Sequence, residues 1–110
     1  MYRGTTPEFI FSLPFKCSSI AKLNIAFSQN NKVVLNKSAS DCEMSGNTIS
    51  LRLSEEDTLS LDSRYRVEVQ LRFQCGEKKY ASDIYSRSVW RILNDGLLDD
   101  ITSESEGDDI

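Results

Sequence analysis

The chain has 110 residues, of which 39% are hydrophobic and 27% are charged, and it contains no histidine. This length and composition indicate one globular domain large enough to bury a core, and they exclude collagen, a coiled coil and a fully disordered chain. Residues 1–91 carry all 13 basic residues against 10 acidic ones, a net charge of +3, whereas residues 92–110 carry 7 acidic residues and no base.

Alternating apolar residues predict strands in the first half of the chain. Phe9, Phe11 and Leu13 share one face of a strand over residues 8–13, and Pro14 then indicates a kink or a sheet edge. A turn is expected over residues 28–31, a third strand over residues 32–37 and a polar loop over residues 38–46. The other apolar residues that mark strands in this half are Leu23, Ile25 and Phe27, then Val33 and Leu35, then Ile49, Leu51 and Leu53.

The second half begins with a helix signal and continues as a hairpin. Ser54 precedes three acidic residues, which predicts a capped helix of one or two turns that Leu59 and Leu61 pin to the core. Residues 64–73 alternate without a break and predict a long strand with Tyr65 facing inward. A return strand is expected over residues 78–92, with a bulge near residues 86–88.

Six or seven short strands with one helical turn indicate an all-β sandwich or barrel. We assign residues 1–93 to this domain and residues 94–110 to an acidic C-terminal segment. Within that segment, Leu97, Leu98 and Ile101 predict one amphipathic turn, and residues 102–110 are expected to be mobile. The predicted core is Phe9, Phe11, Leu23, Ile25, Phe27, Ile49, Leu51, Val67, Val69 and Leu71.

The sequence contains no motif that predicts catalysis, a cofactor or a metal. It has no histidine to act as general base, and no phosphate-binding loop or nucleophile elbow. Glu68 and Asp83 could face each other across the long hairpin, but we expect both to point to water. Calcium binding by Asp95, Asp99 and Asp100 is a minor alternative, because their spacing does not match a calcium loop. We therefore expect no enzyme and no catalytic, cofactor-binding or metal-binding residues.

Two features suggest binding surfaces. Trp90 suits either a buried rim position, which we favour, or an interface. The outer face of the long hairpin carries the basic residues Arg64, Arg66, Arg72, Lys78 and Lys79, with Tyr80 and Tyr85 as candidate aromatic partners. We interpret this face mainly as a solvated surface, and nucleic-acid binding is the less favoured hypothesis because the body carries only +3.

The N-terminal residues lack the apolar stretch of a signal peptide, and no apolar run approaches the length of a membrane span. We therefore expect synthesis in a cytoplasm and no membrane partner. Cys17, Cys42 and Cys75 form no C-x-x-C pair, and an odd number in such a chain predicts free thiols. A single disulfide between two of them is the alternative.

Several segments resemble one known group of proteins over about residues 1–98. They are residues 1–7 (MYRGTTP), residues 47–49 (NTI), residues 53–59 (LSEEDTL) and residues 81–84 (ASDI). These resemble small proteins associated with the tails and baseplates of Firmicutes phages and prophages and, more loosely, the immunoglobulin-like N-terminal domain of phage baseplate upper proteins. Arg87, Trp90 and the acidic end depart from that pattern.

The resemblance implies an immunoglobulin-like antiparallel β-sandwich and a non-enzymatic role in a virion. The expected partners are other phage tail proteins or a second copy of the chain, and the expected location is the virion, after synthesis in the bacterial cytoplasm. The alternative is a phage-encoded regulator or inhibitor that binds a host protein inside the cell. No active site comes with the resemblance, so it transfers no functional residue.

Overall fold

The computed structural model describes residues 1–16, 20 and 22–102. The prediction that residues 102–110 are mobile lies, apart from Thr102, outside these residues. The described part forms eight strands, two short α-helices and one 3₁₀ turn. In chain order the elements are β1 (Glu8–Ser12), β2 (Lys22–Gln29), β3 (Lys32–Ser38), the 3₁₀ turn (Ala39–Asp41), β4 (Cys42–Ser45), β5 (Thr48–Arg52), α1 (Glu55–Leu59), β6 (Val67–Cys75), β7 (Lys78–Ala81), β8 (Tyr85–Arg87) and α2 (Leu98–Ile101).

The strands form two antiparallel sheets. One has the order β1-β5-β4, and the other has the order β3-β2-β6-β7, with β8 also paired to β6. This arrangement corresponds to strands B, E and D facing strands C′, C, F and G of an immunoglobulin variable-type sandwich. The predicted immunoglobulin-like β-sandwich is therefore confirmed, and β1 lies at a sheet edge as Pro14 indicated.

The core lies between the two sheets and contains the residues predicted for it. Nine of the ten are less than 9% exposed, and Phe9 is partly buried and packs against them. Phe9 of β1 meets Phe27 of β2 edge to face, with ring centroids 5.5 Å apart. Because these strands belong to different sheets, this aromatic contact joins the two layers directly.

Two predicted segments are wrong in their boundaries. The loop expected over residues 38–46 contains the 3₁₀ turn and β4, which pairs with β5 from Cys42 opposite Leu51. The long strand begins at Val67 rather than at residue 64. The Asp62 carboxylate accepts hydrogen bonds from the Arg64 backbone N–H and guanidinium, which holds a turn there and leaves Tyr65 39% exposed instead of facing inward.

The predicted return strand is interrupted between β7 and β8, where it contains one residue more than the facing stretch of β6. Arg72 pairs with Ala81 and Val69 pairs with Tyr85, so three steps along β6 correspond to four steps along the return path. The extra residue lies in the segment between Ala81 and Tyr85. A bulge is therefore present as predicted, but it precedes residues 86–88, and no continuous strand runs to residue 92.

The free-thiol prediction is wrong for Cys75, which is disulfide-bonded. Cys42 is a free thiol, half-buried at the start of β4, and burial raises its pKa. Cys17 lies outside the described residues. The number of cysteines alone does not indicate which sulfur atoms meet in space, and the disulfide alternative was the correct one for Cys75.

Helix α1 begins with the capping box that the sequence predicted. The Ser54 hydroxyl accepts a hydrogen bond from the Asp57 N–H, and the Asp57 carboxylate accepts one from the Ser54 N–H, each at 3.0 Å. The Lys37 ammonium lies 2.9 Å from the same carboxylate. Burial alone would raise the pKa of Asp57, but the hydrogen bonds from Ser54 and the contact with Lys37 outweigh it and lower the pKa below its usual value of 3.8.

Replacing Asp57 by asparagine is expected to reduce stability in a pH-dependent way. Because the pKa of Asp57 is lower in the folded state, the unfolded chain binds more protons there, and the stabilisation is complete above the unfolded pKa and disappears as the pH falls through the folded one. Urea unfolding should show a constant difference from the wild type above about pH 5 and a shrinking difference below it. Asp83→Asn, at an exposed site, is the matched control; an Asp57→Asn difference independent of pH would contradict this account.

Candidate functional site

The N-terminal segment is held firmly against the end of α1. The Arg3 guanidinium donates hydrogen bonds to the Leu59 carbonyl at 2.6 Å and to the Leu61 carbonyl at 2.7 Å. It also forms an ion pair with Asp95 at 2.6 Å, and the Arg3 side chain is only 16% exposed. A cation suits the last carbonyls of a helix, which otherwise lack partners, so Arg3 joins the N-terminal segment, α1 and the Asp95 region.

The next two residues fix the path of the same segment. Thr5 N–H donates to the Thr58 hydroxyl, which in turn donates to the Thr5 carbonyl. Gly4 has φ +71°, and a Cβ atom there would lie 2.8 Å from Cδ1 of Ile92. Glycine is therefore favoured by its left-handed backbone conformation, and any larger residue would also displace the terminal methyl group of Ile92.

Tyr2 and Trp90 form an exposed aromatic pair on this fixed segment. The backbone hydrogen bonds from Arg3 N to Trp90 O and from Trp90 N to Met1 O join the two strands of chain in parallel. The rings meet edge to face with centroids 4.9 Å apart, and Tyr2 and Trp90 are 53% and 51% exposed. The expectation that Trp90 occupies a buried rim position is wrong, because half of its side chain is exposed.

A second surface is an open groove of about 820 Å³ on the β3-β2-β6-β7 sheet. Lys22, Arg72 and Lys79 line it together with Tyr80, and no acidic residue contributes to the lining. We call this surface the basic groove. Among the described residues none of its three cations has a carboxylate partner, whereas Arg3, Lys37, Arg52 and Arg64 each form an ion pair.

Only part of the predicted basic face contributes to the groove. Arg64 is paired with Asp62 at 2.7 Å, and Arg66 donates to the hydroxyl groups of two serines of the return segment. Arg72, Lys79 and Tyr80 line the groove, but Lys78 and Tyr85 do not. Lys22 was missed, because it lies on β2, some 50 residues before Arg72, and only the β2–β6 pairing brings the two strands together.

The acidic candidates do not form a common site. Asp95 is engaged by Arg3, and in the described part of the chain no three Asp, Glu, His or Cys residues are arranged to hold a metal ion. Ser86, not Asp83, lies opposite Glu68, and both carboxylates are exposed as expected. None of the described helices is long and apolar enough to span a bilayer.

The aromatic pair and its support had only a partial signal in the sequence. The RGT triplet over residues 3–5 was noted within a resembling segment, but its contacts reach Thr58, Leu61 and Asp95, between 53 and 92 positions away. No local pattern predicts such contacts. Trp90 was singled out, although its favoured interpretation was the wrong one.

Comparison with known proteins adds information on the fold alone. No family model matches the chain, and no curated protein is similar to it in sequence. A mouse leukocyte-associated immunoglobulin-like receptor 1 domain, solved as a strand-swapped dimer, aligns with a TM-score of 0.48 and 10% identity over 84% of this chain and 85% of its own. The V domain of amphioxus IgVJ-C2 aligns with a TM-score of 0.41 and 11% identity over 84% of this chain and 97% of its own. The chain is thus similar in outline to immunoglobulin-like domains of distant sequence.

Proposed function

We propose that this chain is a non-enzymatic interaction module of a phage or prophage tail, where it joins other tail proteins through the surface around Tyr2 and Trp90. The observation that carries the proposal is the exposed aromatic pair on a rigid backbone. Tyrosine and tryptophan contribute most of the binding energy in many protein interfaces, and side chains held in place before binding lose little entropy on association.

Two further features support a role in a virion. The segment that positions the pair, residues 1–7, is one of those that resemble phage tail and baseplate proteins. The disulfide at Cys75 is the kind of bond that persists in oxidising surroundings such as a virion surface, and not in a reducing cytoplasm.

Mass spectrometry of purified particles tests the proposal. In a bacterium that carries the phage, we expect the chain to copurify with intact virions and to stay with their tails after the heads are removed. Its absence from particles that contain all other tail proteins would refute the proposal. Recovery of the chain with one stoichiometric host protein from infected cells would favour the alternative, a regulator acting inside the cell.

Replacing Trp90 by alanine is expected to reduce incorporation into particles at least tenfold, because loss of a central aromatic residue commonly costs about 2 kcal/mol or more of binding energy. The exchange should leave the melting temperature nearly unchanged, since the side chain is half exposed and its backbone hydrogen bonds remain. Val33→Ala on β3 is the matched control, because Val33 is 58% exposed and lies away from the pair. Equal incorporation of both variants would exclude the aromatic pair as the contact.

A further inference from the structure

We infer that the basic groove binds the acidic end of a second copy of this chain, residues 103–110, so that the protein associates with itself through a charged contact. The inference uses the groove alone and is independent of the aromatic pair and of the proposed tail function.

The first argument is the charge of the groove. Lys22 and Lys79 lie opposite Gln74 of β6 from the two neighbouring strands, and Arg72 lies two positions before Gln74. None of the three has a carboxylate partner among the described residues. Like charges on neighbouring strands repel each other, and an acidic ligand reduces that repulsion. By contrast, Arg3 and Lys37, which support the fold, are mostly buried, and each forms an ion pair with a carboxylate.

The second argument is the polar lining. Asn24, Ser38, Ser40 and Gln74 line the groove beside the cations. These side chains can donate and accept hydrogen bonds, and a peptide offers backbone N–H and C=O groups beside its carboxylates. The mixed lining therefore suits an acidic peptide.

The third argument is that the chain itself contains such a peptide. Residues 103–110 (SESEGDDI) hold Glu104, Glu106, Asp108 and Asp109, and no basic residue follows Arg91. Eight residues in extended form span at most about 26–29 Å, which is enough to lie across three strands spaced about 5 Å apart. The occupant is therefore present at the same concentration as the groove.

The position of α2 favours a second copy as the source. The described chain ends at Thr102, directly after α2, whose Leu98 N–H donates to the Glu55 carboxylate of α1. Helix α1 contacts the inner side of the sheet, where Asp57 pairs with Lys37. Two cations of the groove, Lys22 and Arg72, lie on the outer side, because they alternate with the buried Leu23 and Phe73. A segment of the same chain would use much of its length in passing round the sheet edge.

Sedimentation analysis of the full-length protein tests the inference. At low ionic strength we expect concentration-dependent association, with the dissociation constant rising at least about tenfold between 0.05 M and 0.5 M salt, because screening shortens the reach of exposed charges. A protein that stays monomeric at every concentration at low salt would overturn the inference. So would association that is insensitive to salt.

Two full-length variants identify the contact. The first neutralises the segment by Glu104→Gln, Glu106→Gln, Asp108→Asn and Asp109→Asn, and the second reverses the groove by Arg72→Glu and Lys79→Glu. Each is expected to weaken association at least about tenfold while keeping the wild-type melting temperature. The control Lys32→Glu with Lys78→Glu makes the same charge change as the second variant at exposed sites outside the groove, and it should associate like the wild type.

Mixing the two variants distinguishes a second copy from the chain's own end. The first variant keeps an intact groove and the second keeps an intact acidic segment, so a mixture should recover one contact and form a heterodimer that neither variant forms as a homodimer. Absence of the heterodimer, or undiminished association of either variant alone, would show that another surface or the chain's own segment is involved, and the inference would be wrong.

Discussion

Replacing Val69 by aspartate is expected to unfold the domain. Val69 is 1% exposed in the middle of β6, where it lies opposite Phe27 of β2 and Tyr85 of β8. The cluster of buried residues that contains Val69 is hydrophobic, so the carboxylate would lie in apolar surroundings or would have to remain protonated. A loss of at least 4–5 kcal/mol, about the size expected for such a change, would remove most of the stability of a domain of this size.

Circular dichroism and urea unfolding at neutral pH would measure this effect. Arg72→Asp is the matched control, because it introduces the same carboxylate on the same strand but at an exposed position on the other face. We expect the control to fold and to unfold cooperatively near the wild-type midpoint. A soluble, cooperatively folded Val69→Asp protein would mean that the inward face of β6 has been assigned incorrectly.

The strands that carry the core were predictable because their burial follows a simple period. In β2, β5 and the inner part of β6, apolar side chains occupy every second position, and one face of each strand is covered by the opposite sheet. Alternation of apolar residues does not predict a strand that forms mainly by pairing with its neighbour. β4 is a mostly exposed edge strand whose pairing comes from β5, so its sequence, CEMS, does not alternate.

Boundaries set by side-chain hydrogen bonds were also beyond prediction. Residues 64–66 continue the alternation of β6, yet the Asp62 carboxylate binds the Arg64 N–H and turns the chain before Val67. The residues of the two candidate surfaces were also only partly predictable, because pairing between distant parts of the chain brings them together. Arg72 and Lys79 were recognised as a basic face, but Lys22 joins them only through sheet pairing. In the same way, no local pattern predicts that the backbone of Trp90 pairs with the N-terminal segment.

Replacing Gln29 by leucine is expected to lower the free energy of unfolding by about 3 kcal/mol, an unusually large effect for a polar residue. Gln29 is 5% exposed at the end of β2. Its amide donates to the Asp62 carbonyl at 2.7 Å and to the Tyr65 carbonyl at 3.1 Å, and its oxygen accepts from the Asp62 N–H at 2.9 Å. Leucine fills a similar volume but leaves the Asp62 N–H and the Tyr65 carbonyl without partners, and the Asp62 carbonyl keeps only the 3.4 Å hydrogen bond from the Tyr65 N–H. The expected cost is about 1 kcal/mol or more for each of the three lost hydrogen bonds.

The matched control is Gln70→Leu, because the Gln70 amide makes one hydrogen bond, to the Ser82 carbonyl, from a half-buried position. We expect it to lose about 1 kcal/mol, and urea unfolding of both variants gives the comparison.

A third variant, Gln29→Glu, tests the direction of the hydrogen bonds at the same site. Glutamate keeps an acceptor for the Asp62 N–H but places a negative charge against two carbonyl oxygens. Its penalty should therefore be largest at neutral pH and should decrease as the carboxyl group is protonated, since the neutral acid can donate to one of those carbonyls. If Gln29→Leu costs no more than Gln70→Leu, the turn over residues 62–65 does not depend on Gln29, and the start of β6 is determined by packing alone.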